Sequence, residues 1–160
     1  MDEDVRRIVA ESLKGELRSL DFYFALAERT SNEEIKKLCH RFAAEEEGHL
    51  RALVDWLEED TSPEVRSALR EVRLLLDAER GREKASPLEA EQISEPGRLL
   101  LAAIAKETES IASLRALQER VDDPGARGLL ARIMGEEERH KAILERRYEE
   151  AVKRSPSVVS

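Results

Sequence analysis

Residues 44–49 read Ala44-Glu45-Glu46-Glu47-Gly48-His49, and residues 136–140 read Glu136-Glu137-Glu138-Arg139-His140. Each stretch holds a Glu-x-x-His motif whose two side chains leave a helix on one face, because positions i and i+3 are helix neighbours. One such motif in a chain with 27 glutamates carries little weight. The weight comes from a repeat. At a single gap-free offset of 91, Glu46 falls on Glu137, His49 on His140 and Glu16 on Glu107, with Ala25-Leu26 on Ala116-Leu117 and Glu28-Arg29 on Glu119-Arg120.

Helical spacing turns these four acids inward. The positions sharing a face with Glu46 are Cys39, Phe42, Ala43, His49, Leu50, Leu53 and Leu57, an apolar stripe that must bury. Glu137 shares its face with Leu130, Ile133, Met134, His140 and Leu144. Glu107 lies among Leu100, Ala103, Ile104, Ile111 and Leu114, and Glu16 among Val9, Leu13, Leu20 and Tyr23.

Four long helices are predicted around these stripes, over about 3–30, 32–59, 95–121 and 123–153. Ser31-Asn32-Glu33-Glu34 has the form of a capping box with Ser31 as the cap. Ser94-Glu95-Pro96 and Asp122-Asp123-Pro124 place a capping side chain before a proline whose missing N–H is harmless in a first turn. The joints near 31 and 122 are short, so each pair of helices forms an antiparallel hairpin. Glu16 and Glu46 then lie about 15 residues from their turn, as do Glu107 and Glu137 from theirs, which at ~1.5 Å per residue puts each pair at one height. Between the hairpins, residues 61–93 are expected to cross over with a short helix of their own, marked by Val65, Leu69, Val72 and Leu76, and residues 155–160 to form a flexible tail. The fold class is therefore all-α, with residues 1–154 as one domain.

Composition agrees. The chain is 41% hydrophobic and 39% charged but only 4% aromatic, which favours long helices over sheets. A net charge of −8 argues against nucleic acid as a partner, since phosphate binding needs a basic surface. The longest apolar run, Leu99 to Ala105, is far short of the ~20 residues that span a bilayer. The opening Met1-Asp2-Glu3-Asp4 lacks the form of a signal peptide. No membrane association is expected, and the expected location is the cytoplasm. One cysteine, Cys39, excludes an internal disulfide and any paired-cysteine metal site, and reads as a small core residue.

Four inward carboxylates at one level repel one another, and burying each ion costs several kcal/mol. Two divalent cations would cancel them, with His49 and His140 adding neutral nitrogen donors. Mixed carboxylate and imidazole ligation suits iron or manganese better than calcium or magnesium. The expected cofactor is two iron ions per chain, with manganese or a mixed pair as the alternative.

One Glu from each of two helices and Glu-x-x-His from each of the other two is the ligand pattern of ferritin-like di-metal bundles. Through Gly15-Glu16 followed by Tyr23, and through the two stretches quoted above, the sequence resembles the rubrerythrin branch of that superfamily over most of residues 5–150. The resemblance implies a ferritin-like four-helix bundle in which Glu46 and Glu137 bridge the irons, Glu16 and Glu107 are terminal ligands, and His49 and His140 cap one iron each. Tyr23 resembles the family's tyrosine beside the cluster. The resemblance also implies a homodimer. Two departures stand out. Ser110 occupies the position one turn after Glu107 where an additional glutamate is common, which puts a peroxidase-type metal movement in doubt. No rubredoxin-type segment follows, so the expected electron source is a separate protein.

Oxidising two Fe(II) to Fe(III) adds two charges to a nearly neutral site, a physical route to reducing oxygen or peroxide. The expected function is thus a non-haem di-iron oxidoreductase acting on peroxide or oxygen. The alternatives are a ferroxidase or iron-storage protein, and a structural bundle without metal. Glu45, Glu47, Glu136, Glu138 and His40 read as solvated surface, and Trp56, Tyr148 and Met134 as packing.

Overall fold

A computed structural model describes residues 3–58, 63, 66, 67, 69, 70, 74 and 96–154. Four long helices carry the fold: α1 (Glu3–Arg29), α2 (Glu33–Leu57), α3 (Pro96–Glu119) and α4 (Pro124–Arg154). There is no strand among the described residues, so the chain is all-α. The expected crossover and tail lie outside the described residues, apart from helical Pro63, Arg66, Ser67, Leu69, Arg70 and Leu74, of which Leu69 joins the core.

The helices form where the sequence supplies their ends. Asn32 Oδ1 accepts from the Ile35 N–H at 3.1 Å, which makes Asn32 and not Ser31 the cap of α2. The cap is displaced by one residue, which puts Ile35 where a box would need Glu or Gln, so no capping box closes; the Thr30 N–H bonds back to Leu26 O and Thr30 Oγ1 accepts from the Asn32 N–H. At α4, Asp123 Oδ2 accepts from the Ala126 N–H at 2.9 Å. Arg127 closes the α3–α4 turn by donating to the carbonyls of Gln118 and Val121 at 2.9 and 2.8 Å, which satisfies acceptors that a helix end leaves open.

α1 pairs with α2 and α3 with α4, and the two hairpins meet through α1 against α3 and α2 against α4. Arg120 near the end of α3 pairs with Glu11 near the start of α1, and Arg147 of α4 with Glu34 of α2. Both inter-hairpin contacts are therefore antiparallel. These exposed ion pairs add little stability. The stripes provide it: Val9, Leu13, Leu20 and Leu26 of α1, Phe42, Leu50, Leu53 and Leu57 of α2, and Leu99, Leu130 and Ile133 of the second hairpin are all nearly inaccessible. Trp56 and Tyr148 pack against this core and Met134 lies within it.

Candidate metal centre

At mid-bundle the apolar stripes are interrupted by six polar residues. Glu16, Glu46, His49, Glu107, Glu137 and His140 are all buried, with Glu46, Glu137 and His140 at 0% exposure. They form two groups of four, Glu16–Glu46–His49–Glu137 and Glu46–Glu107–Glu137–His140, and within each group one donor atom per residue lies within 4.8 Å of the others. Glu46 and Glu137 belong to both.

The separations suit a shared cation better than hydrogen bonds. His49 Nδ1 stands 3.6 Å from Glu16 Oε1, 3.4 Å from Glu46 Oε2 and 3.3 Å from Glu137 Oε1. His140 Nδ1 stands 3.8, 3.5 and 3.7 Å from oxygens of Glu46, Glu107 and Glu137. A good N–H···O bond is ~2.7–3.2 Å. Two donors each about 2.1 Å from one ion are roughly 3.0 Å apart at a right angle and roughly 3.4 Å apart at a tetrahedral one. Glu16 Oε1, Glu46 Oε1, Glu107 Oε2, both Glu137 oxygens and His140 Nδ1 are buried with no hydrogen-bond partner. Orphaned atoms of this kind call for an explanation, and bound metal would supply it: the donor set and its spacing fit a metal centre.

The protonation pattern points the same way. Burial opposes charge on His49, but the facing carboxylates of Glu137, Glu16 and Glu46 outweigh that and raise its pKa. His140 is raised to about 9, burial again being overcome, here by Glu107 and Glu137. Burial and the neighbouring Glu16 push Glu46 well up, and burial pushes Glu107 to about 8. Glu137, buried but facing both histidines, is instead lowered. Protons gather where positive charge belongs.

Around this centre the structure adds two residues that sequence reasoning missed. His140 Nε2, on the ring edge away from the cluster, donates to Glu45 Oε2 at 2.7 Å, and His49 Nε2 bonds to Glu136. Glu45 and Glu136 are therefore not solvated surface but half-buried cross-braces, each reaching from one hairpin to the histidine of the other. Arg139 holds the second Glu45 oxygen at 2.7 Å. A carboxylate on the remote N–H of a histidine fixes its tautomer and ring orientation. The signal was available, since Glu45 falls on Glu136 at the same offset of 91. Glu47 and Glu138 pair with Arg51 and Arg115, and His40 is exposed, so these three do lie at the surface.

Tyr23, 1% exposed, donates its hydroxyl to Glu107 Oε1. Its pKa is raised, by burial first and by the Glu107 charge next. Phe42 meets Tyr23 edge to face at 5.4 Å and stacks on His140 at 4.1 Å. Ser110 bonds to Ser19 at 3.2 Å, and these two are equivalent residues of the repeat meeting between α1 and α3.

The sequence profile of the rubrerythrin family matches residues 7–148, nearly the whole described bundle. The chain belongs to the rubrerythrin family. No curated protein sequence matches it at a significant level. Family and geometry agree, because the rubrerythrin profile spans both Glu-x-x-His stretches and the two helices that bring Glu16 and Glu107 to them. Among the described residues no helix of this rubrerythrin is long and apolar enough to cross a membrane.

Proposed function

We propose that this rubrerythrin is a non-haem di-iron oxidoreductase that reduces peroxide or oxygen. The observation that carries the reading is the sharing of Glu46 and Glu137 between two four-donor groups, which is what a carboxylate-bridged pair of ions requires. Glu16 and His49 would complete one position, Glu107 and His140 the other. Bound as Fe(II), the pair would supply the two electrons that, with two protons, convert hydrogen peroxide to two waters.

The protein's own share is electrostatic and steric. Its carboxylates match the charge of two divalent ions, its apolar stripes exclude bulk water, and Glu45 and Glu136 hold the histidine rings in place. Tyr23 keeps a proton at Glu107 Oε1, at the edge of the site. Spent electrons would be restored by a separate donor protein, and the working unit would be a homodimer.

One observation favours a ferroxidase or iron-handling role instead. Ser110 ties its hydroxyl to Ser19 and cannot follow an iron as a glutamate there could. Iron-loaded protein with an artificial reductant separates the readings. Catalytic peroxide or oxygen consumption at a constant two irons per chain supports the oxidoreductase. Uptake of iron well beyond two per chain without peroxide turnover supports iron handling.

A further inference from the structure

Among the described residues the two halves of the centre are enclosed by different groups, although the repeat gives them matching donors. A groove of about 340 Å³ runs between α1 and α3, lined by Lys14, Gly15, Glu16, Arg18, Lys106 and Ser110 among others, and so reaches the Glu16 side of the site. Glu16 is 2% exposed, and its Oε1 is buried without a hydrogen-bond partner.

The Glu107 side is closed by groups that the Glu16 side lacks. Tyr23 donates to Glu107, and Phe42 stacks on His140. At offset 91 their counterparts are Leu114 and Ile133. Neither can donate a hydrogen bond or stack a ring, and Leu114 lines the groove. The ring contact of His49 is with His140, at 6.4 Å. Ser110, which lines the groove, carries only a short side chain whose hydroxyl bonds to Ser19.

We infer that the α1–α3 groove is the port by which ions and a small oxidant reach the Glu16–His49 position, and that the Glu107–His140 position, sealed by Tyr23 and Phe42, exchanges far more slowly. This inference rests on the di-metal reading. Lys14, Arg18 and Lys106 beside Glu11, Glu16 and Glu109 give the groove lining three charges of each sign, which suits a small neutral oxidant as well as a cation.

Glycine substitutions test the port without touching a donor. A Cβ at Gly15 meets only Arg18 Nη2, at 3.9 Å, and a Cβ at Gly48 meets nothing within 4 Å. Gly15→Phe would therefore fill the groove, and Gly48→Phe is a control at the matching position just before His49. Each protein is loaded with Co(II), and release to excess chelator is followed by the cobalt absorption. Wild type is expected to lose one ion fast and one slowly. Gly15→Phe should slow the fast phase at least tenfold with two ions still bound, and Gly48→Phe should match wild type. Anomalous diffraction from crystals stripped of the fast ion should find the remaining cobalt between Glu107 and His140. Two bound ions with an unchanged fast phase in Gly15→Phe, or a remaining ion at Glu16 and His49, would overturn the port alone. A wild-type chain that binds no Co(II) would overturn the di-metal reading and the port with it.

Discussion

Replacing Glu46 with Gln should uncouple stability from metal while leaving the metal-free bundle intact. Glu46 is 0% exposed and belongs to both donor groups, so under the di-iron proposal its loss would remove a ligand from both ions. An ion held at 100 times its Kd stabilises the native chain by about 2.7 kcal/mol. Two such ions give about 5 kcal/mol, and at about 2–4 °C per kcal/mol for a chain of this size the wild-type melting temperature should rise by roughly 10–20 °C on loading. In the metal-free protein the Glu46 carboxyl has its pKa raised by burial and by Glu16 and favours its neutral form. The neutral amide of Gln imitates that form, so apo Glu46→Gln should lie within about 1 kcal/mol of apo wild type, the worth of one hydrogen bond. Calorimetry with and without Fe(II) under anaerobic conditions reads both quantities. His49→Ala, which spoils one donor group and spares the other, should keep about half the rise. A wild type that melts at the same temperature with and without metal, or a Glu46→Gln variant that keeps the full rise, would refute the reasoning.

Three further outcomes follow from the same geometry. Glu45→Ala frees His140 Nε2 and should weaken one of the two ions by about 10–100-fold, read by chelator competition; unchanged affinity would return Glu45 to the surface role expected from sequence. The metal-free protein should lose stability as pH rises from 6.5 to 9. His49 and His140 are raised above their ordinary 6.5, the latter to about 9, so their contribution is full below 6.5 and is lost as the pH rises from there through their raised values. Glu46 and Glu107, raised above their ordinary 4.5, the latter to about 8, hold protons that the unfolded chain has released. All four therefore slope the same way, by at most about 1.4 kcal/mol per pH unit each. Lowered Glu137 acts only at acid pH. Melting temperatures of apo protein that stay flat or rise over this range would contradict the assignment. Finally, burial lifts the Cys39 thiol from its ordinary 9.0 to about 12, so at pH 8 its thiolate is about a thousandfold scarcer than in the unfolded chain, and alkylation should proceed only in denaturant.

The bundle was legible because periodicity and capping chemistry are local. The observed helix ends lie within about two residues of those expected, and the cap moved from Ser31 to Asn32, whose own N–H is held by Thr30 Oγ1. The buried cluster of six polar residues was legible because an ionisable residue inside an apolar stripe is expensive, and because the repeat doubled every such observation. Glu45 and Glu136 were not, since both sit at the edge of their stripe and a partner on another helix cannot be read from the spacing along one. The different enclosure of the two halves was hidden for a related reason. Tyr23 and Phe42 break the repeat visibly, but only the packing of α1 on α3 and of α2 on α4 shows that Tyr23 meets Glu107 and Phe42 meets His140.

If the waist of buried carboxylates holds two cations, anaerobic titration of the metal-free chain with Fe(II), read as bound iron at equilibrium, will count them without assuming any activity. The expected result is saturation at two ions per wild-type chain and below one in Glu46→Gln. Saturation at zero in wild type, or equal uptake by both proteins, would contradict it.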